Sequence, residues 1–250
     1  MIKTCFIPAR FNSSRLPGKA LLKINSKTII QLVYEKVKQC KLIDNIIVLT
    51  DDTRILDEVK SWGGECYITD DCLNGTERIV NFIKKTDYKC DIIVNVQGDE
   101  PYINPNNIDK CIENFIKKKN NDIKCSTLHY IFNDIKNIEK RSNGKLVLDK
   151  FNNIMYGSRN IIPGCKKDMF NDKITYYGHI GIFTFEKEYL LHYYLDKNTP
   201  YQLSEDIEWL KILEDGYKIN SVLVDEESHE IGVDTPEDYD YLKMKYEINI

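Results

Sequence analysis

Hydrophobic and polar positions follow two alternating periods through the first half of the chain. Short β-branched apolar runs predict strands at residues 2–8, 45–50, 66–69 and 91–97. Helical spacing of apolar positions predicts the intervening helices, at residues 28–40, 53–62 and 76–85. Strands that alternate with helices are typical of βαβ units and a mainly parallel sheet. This half of the chain is therefore predicted to be Rossmann-like.

The pattern changes after about residue 122. Three further strands without helices of their own are predicted at residues 123–132, 145–148 and 174–185, which indicates an antiparallel insertion at about 123–185. Helices are predicted again at residues 186–194 and 204–215, followed by a strand at 219–224. A closing helix is predicted to begin at Pro236, with Thr235 as its N-cap.

Length and composition favour one soluble domain over residues 1–250. The chain is 42% hydrophobic and 30% charged, which is enough to bury a sizeable core. Its apolar runs are far shorter than the ~20 residues of a membrane-spanning helix. The N-terminal sequence MIKTCFIPAR lacks the apolar core and small residues of a secretory signal, so a cytoplasmic location is predicted.

Cysteine spacing and charge argue against a zinc-binding, a disulfide-rich and a nucleic-acid-binding protein. The eight cysteines occur singly with no CxxC pair, which argues against a structural zinc site and a disulfide framework and favours reduced packing residues. The net charge is −4, with basic and acidic residues interspersed, so no basic face is predicted for nucleic acid.

Candidate phosphate-binding chemistry follows the first strand. The loop holds Arg10, Arg15 and Lys19 with Gly18, just beyond the carboxyl edge where parallel sheets bind ligands. These cations match the roughly four negative charges of a nucleoside triphosphate through charge-assisted hydrogen bonds. Neither a P-loop nor a GxGxxG motif is present. An ordinary solvated basic loop stays open as the alternative.

Two carboxylates at strand ends are candidates for magnesium. Asp99 follows a buried strand, next to Gly98, which permits a close backbone approach to a ligand. Asp234 likewise lies between a strand and a helix. Magnesium takes one or two carboxylates together with waters and substrate phosphates. Alternatively, Asp99 only starts a turn, and Asp234 only joins Thr235 in capping the following helix.

A third candidate site opens the helix predicted at 76–85. Its N-terminus, flanked by Arg78, is suited to a phosphate or a base edge. A plain helix cap at Thr76 is the alternative.

Six motifs along the chain are similar in order and spacing to those of one enzyme family. They are PARFNSSRLPGKAL at residues 8–21, NGTERI at 74–79, VNVQGDEP at 94–101, YGSRNIIP at 156–163, GHIGIFTF at 178–185 and GVDTPED at 232–238. Together they resemble the 3-deoxy-manno-octulosonate (KDO) cytidylyltransferases, or CMP-KDO synthetases, along nearly the whole chain. The first loop is shared more loosely with CMP-sialic acid synthetases.

The resemblance implies a homodimer with a three-layer α/β/α Rossmann-like nucleotidyltransferase fold, a mainly parallel sheet and a β-rich dimerisation insertion. It implies CTP, an acidic keto-sugar and Mg²⁺. The implied nucleotide-binding residues are Ala9, Arg10, Ser13, Arg15, Lys19, Thr76, Glu77, Arg78, Gln97 and Gly98. Asp99 and Asp234 are the implied metal ligands, and with Lys19 and Arg10 they form the implied catalytic set. The implied sugar-binding positions are Arg159, His179, Phe183, Glu208 and Trp209.

Two of these sugar-binding positions depart from the family. Phe183 stands where the family has a tyrosine. Where the family usually has Glu-Gln-Leu-Arg, this chain has Glu208, Trp209, Leu210 and Lys211. A site that hydrogen-bonds a substrate group rejects analogues that lack it, so these changes indicate a different sugar. Alternatively, Trp209 only packs in the core, or the alignment is shifted there.

The predicted reaction is in-line attack of the sugar's anomeric hydroxyl on the α-phosphorus of CTP, with pyrophosphate leaving. Positioning and charge neutralisation dominate such a displacement. Three alternatives stay open: a synthetase for 8-amino-KDO or a sialic-acid-like sugar, a metal-dependent glycosyltransferase that uses a nucleotide-sugar, and a non-catalytic binding protein.

Overall fold

The computed structural model describes residues 1–13, 15–166, 170–171, 173–192, 198–225 and 230–247. By its internal contacts the chain divides into two units, one formed by Met1–Asp109 with His229–Ile250 and the other by Lys110–Ser228. The predicted β-rich segment at 123–185 lies within the second unit. A single domain with a dimerisation insertion stays a prediction.

The first unit contains the alternating strands and helices of the N-terminal half. Its strands are β1 (Lys3–Ala9), β2 (Lys23–Ile24), β3 (Lys27–Thr28), β4 (Asn45–Thr50), β5 (Cys66–Ile68) and β6 (Ile92–Val96). Its helices are a 3-10 helix (Lys19–Leu21), α1 (Ile29–Val37), α2 (Thr53–Ser61), α3 (Gly75–Thr86) and the start of α4 (Pro105–Lys118). The last helix of the chain, α9 (Pro236–Glu247), also belongs here.

The main strands of this unit form a parallel sheet in the order β6-β1-β4-β5. In the central strand β1, Cys5 pairs with Ile46 on one side and with Val94 on the other. Strands β1, β4 and β6 are almost wholly buried, as expected for parallel strands covered on both faces. Because the strands are parallel, the loops after β1, β4 and β6 leave the sheet at the same edge.

The second unit is mostly antiparallel. Its strands are β7 (Ile123–Ile131), β8 (Lys145–Leu148), β9 (Ile154–Ser158), β10 (Tyr177–Glu186) and β11 (Lys218–Leu223). Its helices, besides the end of α4, are α5 (Ile135–Glu139), α6 (Lys187–His192), α7 (Pro200–Glu205) and α8 (Leu210–Glu214). Strand β10 runs antiparallel to β7 and β8, β9 runs antiparallel to β8, and β11 runs parallel to β7.

Most predicted elements are present, with boundaries that differ by at most three residues, and two predictions are corrected. The single helix at 204–215 is wrong, because Asp206 adopts a left-handed conformation (φ 52°) that ends α7. The absence of helices from the insertion is also wrong, since α5 follows β7. Helix α4 and strand β9 were not predicted at all. Of the helix predicted at 186–194, residues 193 and 194 lie outside the described residues.

Two predicted absences can be compared with the described residues. No described helix is long and apolar enough to cross a bilayer. All eight cysteines are free thiols, and five of them (Cys5, Cys66, Cys90, Cys111 and Cys125) are buried, which agrees with a packing role.

Candidate active site

The loop after β1 is folded around Phe11. The Phe11 carbonyl accepts hydrogen bonds from the backbone of Ser13 (3.0 Å) and Gly18 (2.7 Å), and its N–H donates to Asp51 Oδ1 at 3.1 Å. Gly18 has a φ of +72°, and a Cβ there would lie 3.1 Å from the Phe11 ring. The Arg54 guanidinium carbon lies over the Phe11 ring, 3.4 Å from its centroid. These contacts give the loop a defined conformation that delivers Lys19 to the sheet edge.

Lys19 joins the two candidate carboxylates. Its Nζ donates to Asp99 Oδ2 at 2.5 Å and to Asp234 Oδ1 at 3.1 Å. Arg15 Nη2 lies 3.0 Å from the other oxygen of Asp234. The Lys19 side chain is only 13% exposed, so this interaction is weakly screened by solvent. Residues from three separate segments of the sequence thus meet at one point.

Backbone contacts explain why Asp234 faces this point. The Val233 N–H donates to the Asp99 carbonyl at 2.8 Å, which anchors the segment before α9 against the end of β6. Thr235 and Asp238 cap the helix reciprocally: Asp238 N donates to Thr235 Oγ1, and Thr235 N donates to Asp238 Oδ2. The cap therefore does not use the Asp234 carboxylate, and the capping alternative for this residue is wrong.

The charges of this cluster shift one another's pKa values. Burial acts to lower the pKa of Lys19, but Asp99 and Asp234 outweigh it and the net shift is upward. Burial acts to raise the pKa of Asp234, but Lys19 and Arg15 outweigh it and the net shift is downward. Burial, together with Asp99 and Asp234, raises the pKa of Glu100 to about 8. At neutral pH Asp234 is therefore ionised, and the neighbouring Glu100 carboxyl group is mostly protonated.

The two carboxylates fit a magnesium ion. Because both reach one ammonium nitrogen, both can reach one cation position. Mg²⁺ needs only one or two protein carboxylates, since waters and substrate phosphates complete its octahedral shell. Among the described residues no group of three or more His, Cys, Asp or Glu side chains is arranged around a metal position. A site here would therefore depend on the nucleotide for further ligands.

The predicted nucleotide-binding residues on α3 are engaged with the protein itself. Arg78 is buried, and its guanidinium contacts Asp51 Oδ2 at 3.0 Å and the hydroxyl of Thr69. Glu77 Oε2 accepts from Leu73 N at 2.7 Å, while Asn74, not Thr76, caps the helix. Arg78 thus ties the loop after β4 to α3. Direct nucleotide contacts by Glu77 and Arg78 stay predictions.

A buried polar chain links α3 to the end of β6. Asn95 Nδ2 donates to Thr76 Oγ1 at 3.1 Å, and Gln97 Nε2 donates to Asn95 Oδ1 at 3.2 Å. A Cβ on Gly98 would lie 2.8 Å from the Pro8 carbonyl oxygen, so the glycine is required by a close approach of β1. The close approach predicted at Gly98 is therefore explained by the protein backbone.

The other loop residues differ in exposure. Arg10 and Arg15 are exposed, whereas Ala9 and Ser13 are buried. Anion binding by the two exposed guanidinium groups stays a prediction, and Arg15 already pairs with Asp234.

In the second unit, Arg159 is held by backbone groups. Its Nη1 donates to the Ser142 carbonyl at 2.7 Å, and its Nη2 donates to the Asp206 carbonyl at 3.1 Å. Its own backbone N–H donates to Glu205 Oε2 at 3.0 Å. These two side-chain bonds use two of the five guanidinium N–H donors. The guanidinium is thus oriented before any anion binds.

His179 lies between two aromatic rings. Its ring centroid is 5.3 Å from that of Phe183 and 5.3 Å from that of Trp209, and its Nε2 is 2.9 Å from Thr127 Oγ1. Phe183 and Trp209 are 8% and 5% exposed. Both departures from the family pattern thus contact the predicted sugar-binding histidine. Glu208 is half-buried on the adjoining segment.

The position of Trp209 gives a stability prediction. An added Cβ at Gly157 would lie 2.1 Å from the indole, so Gly157→Ala is expected to destabilise the fold by about 1–3 kcal/mol through overpacking. Gly164→Ala is the matched control, because no heavy atom of the described residues lies within 4 Å of its Cβ position. Thermal denaturation followed by circular dichroism measures both variants. Equal melting temperatures would contradict the packing of Trp209 on Gly157.

Comparison with known proteins identifies the family of this chain. A family model described as cytidylyltransferase matches residues 4–219. A 3-deoxy-manno-octulosonate cytidylyltransferase from Fusobacterium nucleatum is 41% identical over 234 residues, which cover 92% of this chain and 91% of that protein. The chain belongs to the 3-deoxy-manno-octulosonate cytidylyltransferase family. A Chlamydia pneumoniae relative of the same name is 39% identical and covers 93% of this chain and 89% of its own length.

A solved structure extends the likeness to the fold. A CMP:2-keto-3-deoxy-manno-octonic acid synthetase complexed with CTP superposes with a TM-score of 0.90 at 29% identity, and the match covers 100% of both chains. The predicted fold class, a Rossmann-like α/β/α nucleotidyltransferase fold with a mainly parallel sheet, is confirmed. The chain is a nucleotidyltransferase, as predicted, and the glycosyltransferase alternative is wrong.

Sequence reasoning missed several residues that shape the site. Asn95 carries a usable signal, since it is a polar residue within the buried apolar run of β6. Glu100 lies beside a predicted ligand but gives no separate signal. Lys145 begins a short strand in which nothing local distinguishes it from a surface lysine.

Proposed function

We propose that this enzyme transfers CMP from CTP to the anomeric hydroxyl of KDO, or of a closely related keto-sugar acid, and releases pyrophosphate. The observation that carries the proposal is the convergence of Lys19, Asp99 and Asp234 at the carboxyl edge of the parallel sheet. Further support comes from relatives that are named for this activity and from a neighbouring structure described as complexed with CTP.

The cations of the first loop bind the triphosphate in this proposal. Arg10 and Arg15 are exposed and reach the β- and γ-phosphates, where their planar forks form charge-assisted hydrogen bonds. Lys19 stabilises the negative charge that builds up on the departing pyrophosphate. The work of these residues is positioning and charge neutralisation, and no covalent enzyme intermediate is needed.

Asp99 and Asp234 are the residues that would hold Mg²⁺. When bound, Mg²⁺ supplies Lewis-acid neutralisation of the nucleotide's phosphate charge. Burial acts to raise the pKa of Asp234, but Lys19 and Arg15 outweigh it and favour its charged form at neutral pH. Glu100, next to the two aspartates, keeps a proton through burial and through its two acidic neighbours.

Arg159 is the proposed ligand of the sugar carboxylate. Its guanidinium retains N–H donors beyond the two that bond to Ser142 and Asp206, and its planar fork matches a carboxylate. His179 and Glu208 are proposed to hydrogen-bond sugar hydroxyls. The resemblance further supports a homodimer, and the free thiols support a cytoplasmic location.

A second candidate substrate is a keto-sugar acid other than KDO, such as 8-amino-KDO or a sialic-acid-like sugar. The observation that favours it is the packing of Phe183 and Trp209 against His179. These rings replace two polar groups of the family with apolar surface beside the proposed sugar ligand. Such a change alters which hydroxyl or amino groups the site can satisfy.

A panel of substrates tests the proposal. The enzyme with Mg²⁺ is given CTP, UTP, ATP or GTP, each with KDO, 8-amino-KDO or N-acetylneuraminic acid. Pyrophosphate release and CMP-sugar formation are measured, and we expect turnover only with CTP and the highest kcat/KM with KDO. A higher kcat/KM for another acid would move the assignment to the second candidate. No pyrophosphate with any pair would contradict the proposed reaction.

A further inference from the structure

A fully buried lysine with no assigned role lies beside the proposed sugar-binding residues. Lys145 is 0% exposed, and its ammonium donates to three backbone carbonyls: Lys140 (2.8 Å), Asn143 (2.9 Å) and Arg159 (2.6 Å). An ammonium has three hydrogens, so these acceptors satisfy it fully. Burying a charged group is costly, which makes this position unusual for a lysine.

The carbonyls around Lys145 belong to groups that hold the proposed sugar ligands. Residues 140–144 form a turn whose Ser142 carbonyl accepts from the Arg159 guanidinium at 2.7 Å. The Gly144 carbonyl in the same turn accepts from the His179 N–H at 2.9 Å. One turn therefore contacts both proposed sugar-binding residues. The Lys145 ammonium donates hydrogen bonds to two carbonyls of this same turn.

Strand register places Lys145 between the two ligands. In the β8–β9 ladder it pairs with Ser158, the residue before Arg159. In the β8–β10 ladder it pairs with Gly178, the residue before His179. Lys145 thus lies on the strand that pairs with both β9 and β10, and each of its two pairing partners directly precedes a proposed ligand.

We propose that Lys145 is a positioning residue, which fixes Arg159 and His179 in the geometry that binds the sugar acid. It does so through the 140–144 turn and through its own bond to the Arg159 carbonyl. The inference rests on the proposed function, because it takes Arg159 and His179 as sugar ligands. Lys145 itself bonds backbone oxygens and does not contact the substrate.

The charges that face Lys145 support this role. Burial, with Arg159 and Arg141, lowers the pKa of Lys145 to about 8, while Glu205 acts in the opposite direction. Glu205 also accepts from Ser158 Oγ at 2.8 Å and from the Arg159 N–H. Below about pH 8 the ammonium can serve all three carbonyls. Above it, the neutral amine has two hydrogens and one carbonyl loses its donor.

The test replaces Lys145 with methionine, which keeps the chain length and removes the ammonium. We expect Lys145→Met to raise the KM for the sugar acid about tenfold or more, with the KM for CTP within twofold of wild type. Lys124→Met is the matched control: this lysine lies in the same unit but pairs with Glu186 at 2.6 Å, and we expect both KM values to be unchanged. In an Arg159→Ala background, Lys145→Met is expected to change the sugar KM less than in the wild type, because one of its two target side chains is already missing.

Several outcomes would overturn the inference. An unchanged sugar KM in Lys145→Met, or equal increases in both KM values with a lower melting temperature, would make Lys145 a purely structural residue. If the variant does not fold, the wild-type pH profile decides: the sugar KM is expected to rise severalfold between pH 7 and pH 9.5, and a flat profile would overturn it. Wild-type enzyme that is inactive on every sugar acid would instead contradict the proposed function.

Discussion

Asp99→Asn is expected to lower pyrophosphate release by about a thousandfold while the enzyme stays folded. The substitution preserves the shape of the side chain but removes one of the two negative charges that meet at Lys19. An amide is a much weaker ligand for Mg²⁺ than a carboxylate, so the proposed metal position loses half of its protein charge. Asp234→Asn is expected to have a similar effect, since it removes the other negative charge that meets at Lys19.

The measurement is steady-state pyrophosphate release over a titration of Mg²⁺, with the melting temperature recorded for each variant. Asp70→Asn is the control, because Asp70 is an exposed carboxylate of the same unit that pairs with Lys85 at 3.3 Å. The control is expected to retain full activity. Wild-type turnover in either Asp99→Asn or Asp234→Asn would refute the metal assignment.

Lys19→Ala is expected to lower kcat/KM for CTP by about a hundredfold to a thousandfold. The change removes the ammonium proposed to stabilise the departing pyrophosphate. It also removes the cation that lies between Asp99 and Asp234, so the carboxylates repel each other and an approaching triphosphate. Because the proposed sugar ligands are separate residues, the KM for the sugar acid is expected to change far less.

Initial rates at varied CTP and varied sugar acid separate the two effects. Lys85→Ala provides the comparison, since Lys85 is an exposed lysine of the same unit whose ion pair with Asp70 is open to solvent. Unchanged CTP affinity in Lys19→Ala would count against the role of the loop in binding the triphosphate. A selective rise in the sugar KM would assign Lys19 to the other substrate.

Prediction from the sequence succeeded where a local pattern carries the signal. The run NIIVLT at Asn45–Thr50 was predicted with its observed boundaries, because its β-branched residues favour extended backbone, and the strand at Lys145–Leu148 was also predicted with its observed boundaries. The start of α9 at Pro236 followed from proline at the first turn after a threonine cap. The prediction failed at residues 204–215, since the left-handed Asp206 that divides α7 from α8 is not encoded by hydrophobic period.

The candidate site likewise has features that the sequence predicted and features that only the structure showed. Sequence located the cations of the first loop and the carboxylates at strand ends, because residue type and position after a strand are local properties. It did not decide between a metal ligand and a helix cap for Asp234. The structure excluded the cap, because Thr235 and Asp238 form it between them, and the metal role of Asp234 stays a prediction.

By itself, then, the sequence determined the alternation of strands and helices, the family motifs and the kinds of charged group available to a nucleotide. Only the tertiary structure decided which of these groups meet. Lys19 and Asp234 are 215 positions apart, and their contact depends on parallel pairing and on the Val233–Asp99 backbone bond. The burial of Lys145 likewise arises from three strands meeting. Such contacts depend on packing between distant segments, which no local period records.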